Sequence, residues 1–363
     1  MHLGIGIVTS AEYKLLQNWY HEMLSQHIEK ARILKKEVNS NLNRIKENKE
    51  LFTYYSLLEF RYQMLSGNFE NDLEGFEFIQ DQPDSFLKYY YHFFKFIYAT
   101  EIGNYSCAEY HYELAEQLLI MILDESEKAE FHYRVALYYY YLSQPTLAIN
   151  HVNKSLDFFD ENVGYETKVG ACKNTLGMAC VTLGQFDLAE EYLVSALNTF
   201  QQENEERPAL TVRYNLGLFY ADQDLSELAI RHLTSAFKQF AHPKEPYQKR
   251  GTYVLAREHF KLGNYKEASF YVEEGLQSCT KEYIYHFTIL KAIIENEPIE
   301  RLEDLVLEAI SYFKEQELFK DMQIYTEELA AKWYDAGDEC KAGKYFYMSY
   351  EAKNLLKEKG RLK

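Results

Sequence analysis

The sequence predicts an all-α protein: a small N-terminal helical bundle followed by a long array of stacked helix pairs. Three observations predict it. Apolar residues recur at helical spacing almost throughout, and no sustained period-two run argues for a sheet. Only 6 Pro and 16 Gly interrupt 363 residues. Beyond residue 85 the chain repeats itself with a period near 40.

The first segment, Met1–Val8, is apolar but short. It lacks a basic n-region and a long h-region and is not expected to act as a signal peptide. Three apolar stripes follow. Tyr13, Leu16, Tyr20 and Met23 mark the first helix. Ala31, Leu34, Val38, Leu42 and Ile45 step by 3, 4, 4 and 3 and mark the second. Leu51, Tyr54, Leu58, Tyr62 and Leu65 mark the third. Each stripe is one face of a helix, so residues 10–66 read as a three-helix bundle.

The repeats are visible as Gly103-Asn104-Tyr105-Ser106-Cys107-Ala108, Gly184-Gln185-Phe186-Asp187-Leu188-Ala189, Gly263-Asn264-Tyr265-Lys266-Glu267-Ala268 and Gly337-Asp338-Glu339-Cys340-Lys341-Ala342. Weaker copies end at Ala148 and Ala229. The alanines lie 40, 41, 40, 39 and 74 residues apart, and a degenerate copy around Leu305 fills the last gap. Seven residues after each comes Ala115, Ser155, Ala196, Ala236, Gly275 or Ser349. Small residues at i and i+7 share one helix face, where a neighbouring helix can approach closely. The preceding Gly-x-aromatic makes a turn and a packing plug. This is tetratricopeptide logic with helices or loops longer than usual. The expected fold is therefore an N-terminal three-helix bundle followed by a right-handed superhelix of about seven tetratricopeptide-like repeats. The expected division is a bundle over 1–70, linker helices and the start of the repeats over 71–100, and the repeat domain over 101–363.

Charge narrows the function. Lys+Arg 39 against Asp+Glu 56 gives a net charge of −17, which argues against a nucleic-acid partner. Residues 1–70 hold 9 Lys/Arg and 8 Asp/Glu, so the acidity belongs to the remainder. No segment approaches the roughly 18 uninterrupted apolar residues of a membrane span. Cys107, Cys172, Cys180, Cys279 and Cys340 are scattered without a CxxC pair. They suit core thiols in a reducing cytoplasm rather than disulfides or a zinc site.

Familiar catalytic signals are missing. There is no P-loop and no G-x-S-x-G. His21-Glu22 is followed by His27, the wrong spacing for a zinc-binding HExxH helix. Gly4-x-Gly6 is a fragment of a dinucleotide fingerprint that opens no βαβ unit. Glu190-Glu191 and Glu327-Glu328 read as solvated helix faces. No metal site and no resident cofactor are expected. Binding is better supported, because such arrays build a concave channel for extended peptides. Most of the 33 Tyr are expected to pack between helices. Runs such as Tyr89–Tyr91 and Tyr138–Tyr141 face several directions, which makes Tyr140 a candidate channel residue. Asn215 is expected near the start of a repeat's first helix, where its amide can clamp a peptide backbone unit.

Tyr54-Tyr55-Ser56-Leu57-Leu58-Glu59-Phe60-Arg61 resembles the third bundle helix of the Rap family of Gram-positive quorum-sensing regulators. Glu127-Lys128-Ala129-Glu130-Phe131 with Tyr138-Tyr139-Tyr140, Tyr214-Asn215-Leu216-Gly217 and Tyr347-Met348-Ser349-Tyr350-Glu351-Ala352 extend the resemblance, in order, over essentially the whole chain. It implies a cytoplasmic regulator of bacterial response regulators, acting in sporulation, competence or mobile-element control. Some members dephosphorylate an aspartyl phosphate; others sequester their target. Short secreted and reimported peptides bind the repeats and switch these activities off. Any Mg2+ would come with the partner regulator. The resemblance puts the partner-binding face on the bundle, with Tyr55, Glu59 and Arg61 as candidates.

Two departures qualify it. Phosphatase members carry a Gln just before the third helix. Here the stretch is Lys46-Glu47-Asn48-Lys49, and Lys49 stands at the Gln place. A Gln amide can both accept from an attacking water and donate to phosphoryl oxygens, whereas an ammonium only donates. Weak or absent phosphatase activity is expected, with Glu47 and Asn48 the nearest substitutes. In the channel, Asn215 matches a peptide-clamping residue of the family. The family's Asn and Asp one repeat upstream are replaced by Ala179 and Thr182, which removes a charge partner for a cationic peptide. A scaffold without a peptide switch is the third reading.

Overall fold

The computed structural model describes residues 10–68, 76, 79, 85–239, 245–277 and 280–361, apart from the side chains of 238–239, 245–247 and 357–361. Gly4-x-Gly6, Cys279 and much of the expected linker lie outside the described residues. The chain divides into two compact units, Met1–Glu205 and Glu206–Lys363.

Unit one opens with α1 (Ala11–Leu24), α2 (Ile28–Ser40), α3 (Leu42–Lys46) and α4 (Lys49–Leu65). Ser10 starts α1 by accepting from the Tyr13 amide at 3.0 Å. The second apolar stripe does not run as one helix. Asn41 leaves the helical region (φ −98°, ψ 6°) while its side-chain amide donates to the Glu37 carbonyl at 3.0 Å. Ala31, Val38 and Ile45 are nevertheless all fully buried, so one face survives the break. The bundle core forms around Trp19, fully buried, with the Tyr55 ring stacked at 6.3 Å and the Tyr62 ring tilted at 5.6 Å.

Three helix pairs complete the unit: α5 (Phe86–Glu101) with α6 (Tyr105–Leu118), α7 (Glu125–Tyr141) with α8 (Pro145–Glu161), and α9 (Glu166–Leu183) with α10 (Phe186–Gln202). Helices of 17 or 18 residues in the last two pairs account for the 40-residue period. Tyr89, Tyr90 and Tyr91 are all buried, as core packing requires. Unit two holds four more pairs: α11 (Glu206–Asp222) with α12 (Ser226–Gln239), α13 (Glu245–Lys261) with α14 (Tyr265–Gln277), α15 (Lys281–Ile294) with α16 (Ile299–Glu315), and α17 (Phe319–Asp335) with α18 (Glu339–Arg361).

The repeat logic holds at atomic level. Ala108, Ala148, Ala189, Ala229, Ala268 and Ala342 are at most 2% exposed. Their i+7 partners are buried too. The turn inside each pair needs one residue in the left-handed region. Gly184 supplies it after α9 with φ +72°, and its amide and that of Gln185 close the helix onto Val181 and Cys180. In the weaker copies the same position is Ser143 or Asp224, both at φ +57°. A non-glycine in this region is uncommon, which is why the motif looked degenerate there. The expected copy near Leu305 is the α15–α16 pair. Its register is set by Leu302 and Ala309, buried seven residues apart.

In unit two, Trp333 of α17 is buried, and the Lys341 ammonium sits 3.7 Å from its ring centroid. Lys341 also pairs with Glu303 of α16 at 2.7 Å.

Candidate functional site

The short loop before α4 carries the candidate catalytic residues. Asn48 is the N-cap of α4: its side-chain oxygen accepts from the Leu51 amide at 3.0 Å. That oxygen is therefore engaged in holding the helix end, which fixes the orientation of the amide. Glu47 and Lys49 are exposed, and Lys49 is the first residue of α4.

The three candidate partner residues on α4 do not share one open face. Tyr55 is half-buried against Trp19 and Phe52. Glu59 is tied inside the bundle, paired with Lys35 of α2 and accepting from Gln63 at 2.6 Å. Arg61 is buried, so in this conformation it is not accessible to a partner. It points instead into the array.

Arg61 belongs to a buried polar layer that joins the bundle to the first three repeats. Glu130 of α7 lies at its centre. Its carboxylate meets Arg61 at 3.5 Å, Arg134 at 2.8 Å and Lys168 of α9. Arg134 also reaches Glu101 of α5 at 3.7 Å. One turn away, Glu127 accepts from the Tyr20 hydroxyl of α1 at 2.9 Å and the Tyr89 hydroxyl of α5 at 3.2 Å. Glu127 and Glu130 are each 1% exposed and Lys168 is 0% exposed. Burial would raise Glu130, but Arg134, Lys168 and Arg61 outweigh it and hold it at about 2. Burial pushes Glu127 up to about 8, with Glu130 and Asp124 adding to the shift and the two tyrosine bonds opposing it. Burial lowers Lys168 to about 8 against the pull of Glu130. Near neutral pH, Glu127 is thus held largely as the neutral acid beside an ionised Glu130. Sequence reading quoted Glu127 and Glu130 only as part of a resemblance. The missed signal was Glu127, Glu130 and Arg134 at i, i+3 and i+7, one continuous charged face on a helix that is mostly buried.

The candidate peptide residues are placed separately. Ala179 is fully buried within α9, so it contributes packing rather than a channel surface. Thr182 is exposed and its hydroxyl donates to the Met178 carbonyl at 3.1 Å. Tyr140 is half-buried, its ring 5.7 Å from Tyr141. Asn215 is half-buried and lies past the middle of α11, not near its start. Ala179, Thr182 and Tyr140 belong to unit one and Asn215 to unit two.

No group of three His, Cys, Asp or Glu among the described residues could hold a metal ion. Two histidine pairs repeat at the 40-residue period: His92 with His111 (Nδ1 to Nδ1 2.9 Å) and His132 with His151 (3.2 Å). Burial lowers His92, His132 and His151 to about 4, so these rings are neutral and the pairs read as hydrogen bonds. Of the carboxylate pairs, Glu190, Glu191 and Glu327 are exposed, while Glu328 is half-buried and raised by burial. No helix among the described residues is long and apolar enough to cross a membrane.

Residues 8–66 match the family model for response regulator aspartate phosphatase H, N terminal. Regulatory protein RapG of Bacillus subtilis (strain 168) is 30% identical over 274 residues, 74% of this chain and 74% of its own. The chain belongs to the Rap family. Response regulator aspartate phosphatase I of the same organism is 28% identical over 359 residues, covering 95% of this chain and 91% of that one. A Rap protein solved with competence and sporulation factor superposes with a TM-score of 0.71 at 22% identity, over 96% of this chain and 99% of the other. That likeness confirms an all-α Rap fold over nearly the full length. In this chain the buried layer around Glu130 and Glu127 joins the bundle to the repeats.

Proposed function

We propose that this Rap-family chain is a peptide-controlled regulator that binds and inhibits a bacterial response regulator by sequestration. Family membership supports the class of activity. The start of α4 carries the choice of mechanism. Lys49 stands where phosphatase members have Gln, and the neighbouring Asn48 oxygen is taken by the Leu51 amide. An ionised Glu47 can accept from a water but cannot donate to a phosphoryl oxygen. Asn48 is held at the helix end by its bond to the Leu51 amide, and an ammonium at position 49 cannot accept from a water. Inhibition then comes from occupying the target's surface. The bundle contributes the binding face, and any Mg2+ belongs to the phosphorylated partner.

A short signalling peptide relieves the inhibition. The family likeness supports this, because a Rap protein of the same fold is known in complex with competence and sporulation factor. Asn215 supplies the backbone clamp on α11. With Ala179 and Thr182 in place of an Asn and an Asp, a cationic peptide draws its charge partners from other acids of the repeats. The reading places the protein in the cytoplasm with its target.

The test is the lifetime of a phosphorylated receiver domain with and without this protein. Stoichiometric inhibition of the target's activity with an unchanged phosphoryl lifetime is expected. A large acceleration of hydrolysis that Lys49→Ala abolishes would overturn sequestration in favour of the phosphatase reading. Scattering with a cognate peptide separates the regulator from a plain scaffold, since a scaffold shows no change in size.

A further inference from the structure

α12 and α14 are the second helices of successive repeats in unit two, and a cleft of about 520 Å³ opens between them. That volume suits a small molecule. Ile230 and Thr234 line it from α12, Phe270 and Tyr271 from α14, and His259 from α13. The repeat pattern is broken here. Counted from each landmark alanine, the cleft pairs the residue at +1 on one helix with the residue at +2 on the next. At the preceding junctions these are Glu109 with Asn150, Ile149 with Glu191 and Glu190 with Arg231. Ile230 with Phe270 is the first pair that is apolar on both sides, and Phe270 is 59% exposed.

A second departure lies in the same cleft. In two other repeats a Tyr of the first helix lies against a His of the second: Tyr139 with His151 and Tyr220 with His232, ring centroids 5.6 and 5.4 Å apart. In the α13–α14 pair the order is reversed. The first helix supplies His259 and the second Tyr271, with the rings stacked 5.5 Å apart at 18°. His232 has Arg231 3.4 Å from its Nε2. Neither ring nitrogen of His259 has a hydrogen-bond partner among the described residues, and Nδ1 is buried. Burial lowers the ring's pKa, with Glu267 opposing, so the imidazole is neutral near pH 7. Lys266 and Glu267 complete the lining, both exposed and neither in an ion pair among the described residues. The cleft thus offers an apolar slot, an unanswered imidazole, and one charge of each sign.

We propose that this cleft binds a free aromatic amino acid, tyrosine best of all. Its ring lies between Ile230 and Phe270 against the Tyr271–His259 stack. Its hydroxyl reaches the His259 imidazole. A phenol both donates and accepts, so it satisfies either tautomer, whereas an indole N–H only donates and a phenyl ring does neither. Its carboxylate meets the Lys266 ammonium and its ammonium meets the Glu267 carboxylate. Neighbouring charges of opposite sign match a zwitterion, and a ligand of single charge would leave one of them unanswered.

The test is calorimetric titration of the full chain with tyrosine, tryptophan, phenylalanine, leucine and N-acetyltyrosinamide. Saturable binding of one tyrosine per chain is expected, with Kd below ~1 mM. Phenylalanine should bind ~10-fold more weakly and leucine more weakly still. His259→Phe keeps a ring on Tyr271 but removes the nitrogens, and should abolish the preference for tyrosine over phenylalanine. Phe270→Ala should weaken every aromatic ligand ~10-fold or more, and circular dichroism checks that this exposed site leaves the helices intact. No saturable binding of any aromatic amino acid overturns the proposal, as does binding indifferent to Phe270→Ala. Leucine binding as tightly as tyrosine overturns the aromatic class. N-acetyltyrosinamide binding as tightly as tyrosine overturns the free amino acid in favour of an aromatic side chain of a protein partner. A tyrosine preference that survives His259→Phe overturns the role of the imidazole.

Discussion

Arg61 of the bundle pairs with Glu130 of the second repeat across 69 residues of sequence, with both side chains almost wholly buried. Three cations converge on that one carboxylate, which makes the layer asymmetric. Removing Glu130 strands Arg61, Arg134 and Lys168 without their common partner. Glu130→Gln is expected to lower unfolding free energy by about 3–5 kcal/mol. Arg61→Met leaves Glu130 with two partners and is expected to cost only ~1 kcal/mol. Urea titrations of both variants check the order, and a larger loss for Arg61→Met would place the weight of the layer elsewhere.

Glu127 gives the layer a pH dependence. Its folded value of about 8 lies above the ordinary 4.5. Between these values the unfolded chain releases the proton while the folded chain keeps it. Stability from this group is complete below the unfolded value and is lost as pH rises through about 8. Glu130 works in the opposite sense, its contribution vanishing as pH falls from 4.5 through about 2. Glu127→Gln keeps acceptors for Tyr20 and Tyr89 without the titration. Wild type should lose on the order of 2 kcal/mol relative to this variant between mildly acidic and mildly alkaline pH. Parallel denaturation curves across that range measure the difference.

Lys49→Gln restores the amide that the phosphatase reading needs at the start of α4. If only the side chain is lacking, the variant should shorten the lifetime of a phosphorylated target by ~10-fold or more. Lys49→Ala should leave the lifetime where wild type leaves it. Single-turnover loss of radiolabelled phosphoryl from the receiver reads both.

Gly275 and Gly343 are both helical, yet alanine should act oppositely at the two. A Cβ at Gly275 would overlap the Phe287 ring, while at Gly343 it meets open space. Gly275→Ala is expected to destabilise by about 1–3 kcal/mol through overpacking. Gly343→Ala is expected to stabilise by up to ~1 kcal/mol through helix propensity. Thermal melts of the two variants make the comparison.

Much of the repeat array was legible because its constraint is local and periodic. Ala189 and Ala196 must be small for the helix that packs on them, so the spacing repeats wherever the packing does. Ser143 and Asp224 hid two turns, since a left-handed backbone can be held without the glycine that advertises it. Asn41 hid a break, because the apolar stripe on either side stays in register. The site was less legible. Arg61 looked like a surface residue on an otherwise amphipathic helix, and only Glu130, far along the chain, reveals why it is buried. Ala179 could be aligned with a family contact but not seen to face the core. Long-range pairing of unlike elements leaves no period to read.

The two tryptophans are divided between the units, Trp19 in the bundle and Trp333 in α17. Trp19 packs against two tyrosine rings with the Lys35 ammonium 5.9 Å from its own, and the Lys341 ammonium lies 3.7 Å from the Trp333 ring. The chain therefore carries two native optical reporters, one for each unit. Replacing either with Phe leaves a single-tryptophan protein whose emission follows one half alone. With that pair, loosening of the bundle on target or peptide binding becomes separable from events in the second unit without attaching a label.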